Sequence, residues 1–440
     1  MTALTSRLQR LVLLRPGEGR ALLLAAAYFF CLLLSLYLLR PVREAMGIAR
    51  GADWLPWLMT TTLAVMLVVN PVYAALVSRL PRRRFIPLVA HFFAVNLLVF
   101  AALFQALPAH GGELLGYAFY VWLSVFNLFV VSVFWSLMAD VFTEDQGKRL
   151  FGMVSMGGTL GAVVGAAVTQ GLSSGSWGFK LPTAGLMLLA VLGLEAAVFF
   201  MQRLAAHFQL SAATGQQSRE PGPDFKAGLR AIAGSRYLQL ICAYMLLFTV
   251  ASTFLYLMQG DIVAKTFASP AERTAAFAKL DFWTNVLTLT VQLLLTSRLL
   301  RGIGVSGVLL VLPLLTTIGF GALALWPSFL VLALVQVLRR GIHYAVDRPA
   351  REILYIPLGP EERYKSKAFI DTFVFRGGDF IGVWAPTLFA ALMVPVSLAA
   401  LGCAGAWVAV AGWLGRLVNR RHGEASLSAS PVFNRKETPT

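Results

Sequence analysis

Runs of roughly 20 predominantly apolar residues, each long enough to cross about 30 Å of hydrocarbon as a helix, recur along this 440-residue sequence. They lie near 21–42, 55–77, 86–107, 115–142, 150–172 and 182–202, and again near 237–259, 276–297, 303–325, 328–347, 369–391 and 394–415. Charged residues make up 13% of the chain and the mean hydropathy is +0.72. A soluble globule carries about 25% charged residues, so that class is excluded. The fold class expected is all-α: a polytopic membrane protein with 12 transmembrane helices.

Lysine and arginine accumulate on the cytoplasmic side of membrane proteins. With the N-terminus inside, most basic residues fall on inner segments, and the outer ones are Arg40, Arg43, Arg50, Lys180, Lys265, Arg273 and Lys279. Both termini are therefore expected to be cytoplasmic. The net charge of +16 is scattered over short loops, without the continuous basic stripe that nucleic acid requires, so no nucleic-acid partner is expected. Membrane lipid is the expected partner of Arg82, Arg83 and Arg84. Cys31, Cys242 and Cys403 have neither metal-ligand nor redox spacing. No Walker A loop, zinc motif or nucleophile elbow occurs, so neither a metal, a cofactor nor an enzymatic activity is expected.

The widest polar interruption, 203–236, separates six spans from six. The expected plan is an N-terminal six-helix bundle (1–202), a cytoplasmic linker (203–236), a C-terminal six-helix bundle (237–415) and a cytoplasmic tail (416–440). This 6+6 arrangement is that of the major facilitator fold, in which each half is a 3+3 inverted repeat around a site near the membrane midplane. Internal matches support it. Ser78-Arg-Leu-Pro-Arg82 after span 2 parallels Ser297-Arg-Leu-Leu-Arg301 after span 8, and Gly157-Gly-Thr-Leu-Gly161 parallels Gly377-Gly-Asp-Phe-Ile-Gly382. Gly157, Gly161 and Gly165 share one helix face and suit close packing on a neighbouring helix.

Arg-Pro-x-Arg-Glu occurs twice, at Arg40–Glu44 and Arg348–Glu352, each where an apolar run ends. Guanidinium at such a place is costly unless it is used. In the facilitator arrangement helices 1, 4, 7 and 10 line the cavity, so the two pentads would face its opposite halves. Arg40, Arg43, Arg348 and Arg351 are therefore substrate-binding candidates for an anion gripped bidentately, with Glu44 and Glu352 spaced to hold the first arginine of each pentad. Snorkelling to headgroups is the competing reading. Further gating or coupling candidates are Glu144, Lys148, Asp347, Lys365, Lys367, Arg376 and Asp379; Arg376 and Asp379 also have the spacing of an intrahelical ion pair. Asp140, Glu195 and Asp281 are candidate proton or cation sites, and His91 and His343 read as hydrogen-bonded core histidines.

The stretches Phe134-Trp-Ser-Leu-Met-Ala-Asp140 through Gly152 and Asp347-Arg-Pro-Ala-Arg-Glu-Ile-Leu-Tyr-Ile-Pro-Leu358 through Asp371 resemble the ATP/ADP translocase family of bacteria and plastids. The resemblance implies a facilitator-type fold, nucleotide exchange, and a bacterial inner membrane as location. It implies roles for Arg43, where the translocases have a lysine, for Arg351, and for Lys365 and Lys367. Where the family has glutamates in its fourth and seventh helices, this sequence has none in 120–134 or 244–254, and Asn127 and Thr253 are the nearby polar residues. Asn127 joins the substrate-binding candidates. The expected function is secondary active transport of an anionic, phosphorylated solute, nucleotide exchange first. Export of apolar or cationic compounds and a non-transporting scaffold or sensor are the rivals.

Overall fold

The computed structural model describes residues 15, 17–79, 82–107, 109–208, 225–359, 362, 366–367, 369–393 and 395–428. Among them every regular element is helical, as hydrocarbon demands of a backbone that must satisfy its own amides. The long helices are α1 (Glu18–Gly47), α2 (Leu55–Arg79), α3 (Arg82–Ala106), α4 (Ala109–Val141), α5 (Glu144–Ser174), α6 (Thr183–His207), α7 (Arg236–Thr266), α8 (Pro270–Leu294), α9 (Gly304–Leu325), α10 (Phe329–Ile342), α11 (Phe375–Ala391) and α12 (Val396–Ser428).

Among the described residues, ten spans are long and apolar enough to cross a membrane. The other two expected spans correspond to α8 and α11. Helix α8 carries Glu272, Arg273, Lys279 and Asp281 in its first half, and α11 has only 17 residues of α-helix, preceded by a π-helical turn at Ile370–Val374. A second π-helical turn, His343–Asp347, links α10 to the short helix Arg348–Ile353.

The chain forms two compact units. One comprises Met1–Glu220 with Gln259–Leu289, the other Pro221–Met258 with Thr290–Thr440.

In the first unit α1 is the central column. Its neighbour α5 approaches along the glycine face: a Cβ on Gly161 would lie 2.2 Å from the Phe30 carbonyl oxygen, and one on Gly165 would lie 2.7 Å from that of Leu34. Glycine is the residue that permits this approach. The face is thus occupied by α1 of the same unit. Thr169 donates to the Leu38 carbonyl at 3.1 Å and Ser35 to that of Ala190 at 3.0 Å, tying α1 to α5 and α6. Helix α5 starts at a capping box formed by Thr143 and Gln146 and ends at Gly175 in the left-handed conformation, both ordinary ways of satisfying terminal backbone groups.

In the second unit the same device recurs. A Cβ on Gly378 of α11 would lie 2.8 Å from the Thr249 Cβ of α7, and one on Gly382 would lie 2.7 Å from that of Thr253. The internal match between the two glycine motifs is therefore a match of packing: each sits on the first helix of its expected half. Ser306 donates to the Gly415 carbonyl at 2.9 Å, joining α9 to α12.

Candidate functional site

The first pentad does not end its helix. Pro41 lies inside α1, which continues to Gly47, so Arg40–Glu44 occupies the penultimate turns. Arg43 is 18% exposed, pairs with Glu44, donates from Nη1 to Ser124 Oγ at 3.1 Å and lies 4.8 Å from the centroid of the Tyr120 ring. Ser124 in turn donates to the Tyr120 carbonyl, so one turn of α4 orients the guanidinium. Arg40 donates to the Tyr37 hydroxyl at 3.2 Å, and its Nε is 3.7 Å from Asp281 Oδ2 on α8. Glu44, expected to hold Arg40, is the buried partner of Arg43. Asn127 is exposed on α4 and shares the helical stripe of Tyr120 and Ser124, at the three- and four-residue spacing that puts side chains on one face.

In the second unit the corresponding arginine is Arg351. It is 12% exposed, its Nε is 3.1 Å from Asp347 Oδ2, its Nη1 contacts Met245 Sδ, and its guanidinium lies 5.0 Å from the Phe248 ring centroid. Asp347 ends the π-helical turn and is 1% exposed. Besides Arg351 it accepts from the Tyr244 hydroxyl at 2.6 Å, and its Oδ2 is 3.0 Å from His343 Nδ1. A buried carboxylate persists only with such partners. His343 stacks on Phe248 with centroids 4.5 Å apart and meets Asp347, as the core-histidine reading expects, whereas His91, read in the same way, is exposed. Arg339, 5% exposed, reaches the same neighbourhood: it donates to Ser252 and lies 5.7 Å from the Phe248 centroid.

The remaining candidates separate into groups. Arg348 is exposed. Glu352, spaced to hold Arg348, turns to Lys367, whose ammonium also lies 5.7 Å from the Tyr355 ring centroid. Arg376 and Asp379 form the expected intrahelical pair at 3.7 Å, and Thr253 lies 3.5 Å from Asp379. Lys365 and the side chains of Glu144, Lys148, Arg82, Arg83 and Arg84 lie outside the described residues. Sequence reasoning missed Ser124, Tyr120, Tyr244, Phe248 and Arg339. For Arg339 the signal was present, two adjacent arginines within the tenth apolar run. It also left Glu195 and Asp281 without partners, whereas Glu195 meets His91 at 3.3 Å and Asp281 meets Arg40.

The two arginine sites share one design. Each takes the second arginine of a pentad, places an acid beside it, and lays it over an aromatic ring of another helix, Tyr120 on α4 for Arg43 and Phe248 on α7 for Arg351. A family model described as TLC ATP/ADP transporter matches residues 116–414, about two thirds of the chain and the whole of the second motif. This chain belongs to that family. It is 22% identical over 400 residues to the plastidic ATP/ADP-transporter of Solanum tuberosum, covering 78% of this chain and 63% of the relative. It is 24% identical over 421 residues to ADP,ATP carrier protein 1 of Chlamydia muridarum, with 80% and 78% covered. This chain thus spans less than two thirds of the potato relative's length.

Among solved structures it resembles the peptide transporter POT in complex with sulfate, with a TM-score of 0.60, 14% identity, and 92% and 97% of the two chains covered. It also resembles the nucleoside transporter NupG, with a TM-score of 0.58, 13% identity, and 90% and 99% covered. At those identities the likeness speaks for the fold, which is that of the major facilitator type, as the sequence resemblance implied.

Proposed function

We propose that this member of the family is a secondary transporter that exchanges nucleotides of the ATP/ADP kind, or a closely related phosphorylated anion, by alternating access. The observation that carries the reading is the pair of oriented guanidinium groups at equivalent pentad positions, Arg43 and Arg351, both mostly buried in membrane helices and both held by an acid and an aromatic ring. A guanidinium fork held in a fixed orientation is suited to the planar, bidentate recognition of phosphate. Arg40 and Asn127 would extend the arginine site of the first unit, and Arg348 that of the second. The moving bodies are the six-helix halves 1–202 and 237–415, joined by the linker 203–236, with the tail 416–440 and both termini in the cytoplasm of a bacterial cell. Glu44, Asp347, Glu352, Lys367, Arg376 and Asp379 are the groups whose pairings would change between states, together with Glu144, Lys148 and Lys365.

Purified protein in liposomes loaded with unlabelled ADP should take up labelled ATP. Arg43→Ala and Arg351→Ala should abolish uptake while the protein remains monodisperse and melts cooperatively. Unchanged uptake in both variants would remove these residues from substrate binding. A thermal-shift panel of nucleotides, sugar phosphates and lipophilic cations separates the rivals: an exporter of cations responds to the last group, and a scaffold to none.

A further inference from the structure

Between α2, α3 and α4 of the first unit lies a cavity of about 990 Å³ whose walls are almost wholly apolar. That is the upper end of the range of about 300–1,000 Å³ for small-molecule sites, which combine an apolar lining with a few placed polar groups. On α4 alone its wall runs from Leu114 to Phe129, roughly 22 Å at 1.5 Å per residue. Such a slot has the length of a hydrocarbon chain. It opens laterally, since the wall residues Trp57, Leu88, Phe92 and Leu114 are exposed on spans that cross the membrane, where the surrounding phase is lipid.

One end is chemically distinct. Trp54 and Tyr117 form its rim with ring centroids 6.2 Å apart, and the Arg50 guanidinium lies 5.7 Å and 6.0 Å from those two centroids. Arg50 pairs through Nε with Glu113, and both side chains are half-exposed. Aromatic residues with a polar edge mark the level of lipid headgroups. In the wall of the slot the Trp122 ring stacks with those of Phe119 and Phe126.

We propose that this slot binds one phospholipid, an acyl chain lying along α4 and a zwitterionic ethanolamine headgroup at the rim. The fixed dipole of the rim decides the headgroup. The phosphate complements the outward donors of Arg50, and the primary ammonium complements Glu113, whereas an anionic headgroup meets the Glu113 carboxylate and a choline offers it no N–H. Bound there, the lipid would fill the space that the three helices leave open. This claim stands apart from the transport reading, because it concerns a different face of the first unit.

The test is quenching of intrinsic tryptophan emission in liposomes that contain phosphatidylethanolamine, phosphatidylglycerol or phosphatidylcholine with dibrominated acyl chains. Trp54, Trp57 and Trp122 all border the slot. The expected result is a binding preference for the ethanolamine lipid of roughly fivefold, the size of one charge contact at a membrane surface. That preference should vanish in Glu113→Gln, and Val125→Phe, which fills the slot, should reduce quenching by all three lipids. Equal quenching by the three headgroups in the wild-type protein, a preference for phosphatidylglycerol, or an ethanolamine preference that persists in Glu113→Gln would each overturn the proposal. The wild-type comparison alone decides if a variant fails to fold.

Discussion

Tyr244 and Asp347, 103 residues apart in the chain, meet at 2.6 Å inside the second unit, the phenol donating to the carboxylate. Asp347 also faces His343 and Arg351, so one buried acid gathers a phenol, an imidazole and a guanidinium. The hydroxyl on α7 and the acid of the π-helical turn together fix where Arg351 points.

Tyr244→Phe removes one donor and leaves the carboxylate oxygen under-satisfied. The loss of stability should be about 1–3 kcal/mol, read as a lowered melting temperature of the purified protein. Asp347→Ala should be worse, about 3–5 kcal/mol, because it strands the Arg351 charge. A melting temperature within error of the wild type for Asp347→Ala would mean that Arg351 has another anion.

At Arg43 the geometry distinguishes charge from shape. Its guanidinium bonds Ser124 and Glu44 and covers Tyr120, three contacts that a lysine ammonium cannot make together. If the fork grips phosphate, Arg43→Lys loses one charge-assisted hydrogen bond worth about 1.5–3 kcal/mol. Nucleotide affinity should then fall roughly 10- to 150-fold, seen as a raised half-saturation concentration for uptake. An unchanged value would show that only positive charge at this position matters.

The two pentads were legible because repetition is visible in sequence, and so was the glycine match, because small residues at helical spacing have a packing meaning. Other elements left no such trace. A π-helical turn changes the register by a fraction of a turn, which apolar periodicity in the stretch 343–347 cannot reveal, and that shift decides which partners Asp347 meets. The spacing of Arg348 and Glu352 suggested a pair, yet the helix ends at Ile353 and Glu352 meets Lys367, fifteen residues on. The pairs Arg40 with Asp281 and His91 with Glu195 join helices distant in sequence, and a single sequence carries no signal for them.

Glycine contacts predict a sharp contrast. Gly161→Ala places a methyl 2.2 Å from the Phe30 carbonyl oxygen, so α1 and α5 must separate; overpacking of this kind costs about 1–3 kcal/mol. Gly152→Ala in the same helix meets nothing within 4 Å and should be neutral or stabilising by a fraction of about 1 kcal/mol. Melting temperatures of the two variants in one detergent check the pair. Equal values would show that the α1–α5 contact yields without cost.

Arg273 on α8 makes the most exacting prediction. Its Nε donates to the Phe267 carbonyl at 2.9 Å, its Nη2 to that of Ala264 at 3.3 Å, and its Nη1 to that of Ile48 at 3.2 Å. The first two carbonyls lie at the C-terminus of α7 and the third follows α1, places where the helix itself supplies no donor and the macrodipole is negative. One guanidinium therefore clasps two helix ends within the first unit. Arg273→Met keeps the apolar stem and deletes all donors, and hydrogen bonds to a charged group contribute about 1.5–3 kcal/mol each, net of exchange with water. The expected readout is faster hydrogen exchange at the backbone amides around 48–51 and 264–268, with Arg273→Lys intermediate because an ammonium cannot reach three carbonyls in a plane. Exchange as slow in the methionine variant as in the wild type would show that these helix ends are held by their apolar contacts, such as Gly260 against Leu55 and Ile48, and that the guanidinium clasp adds nothing.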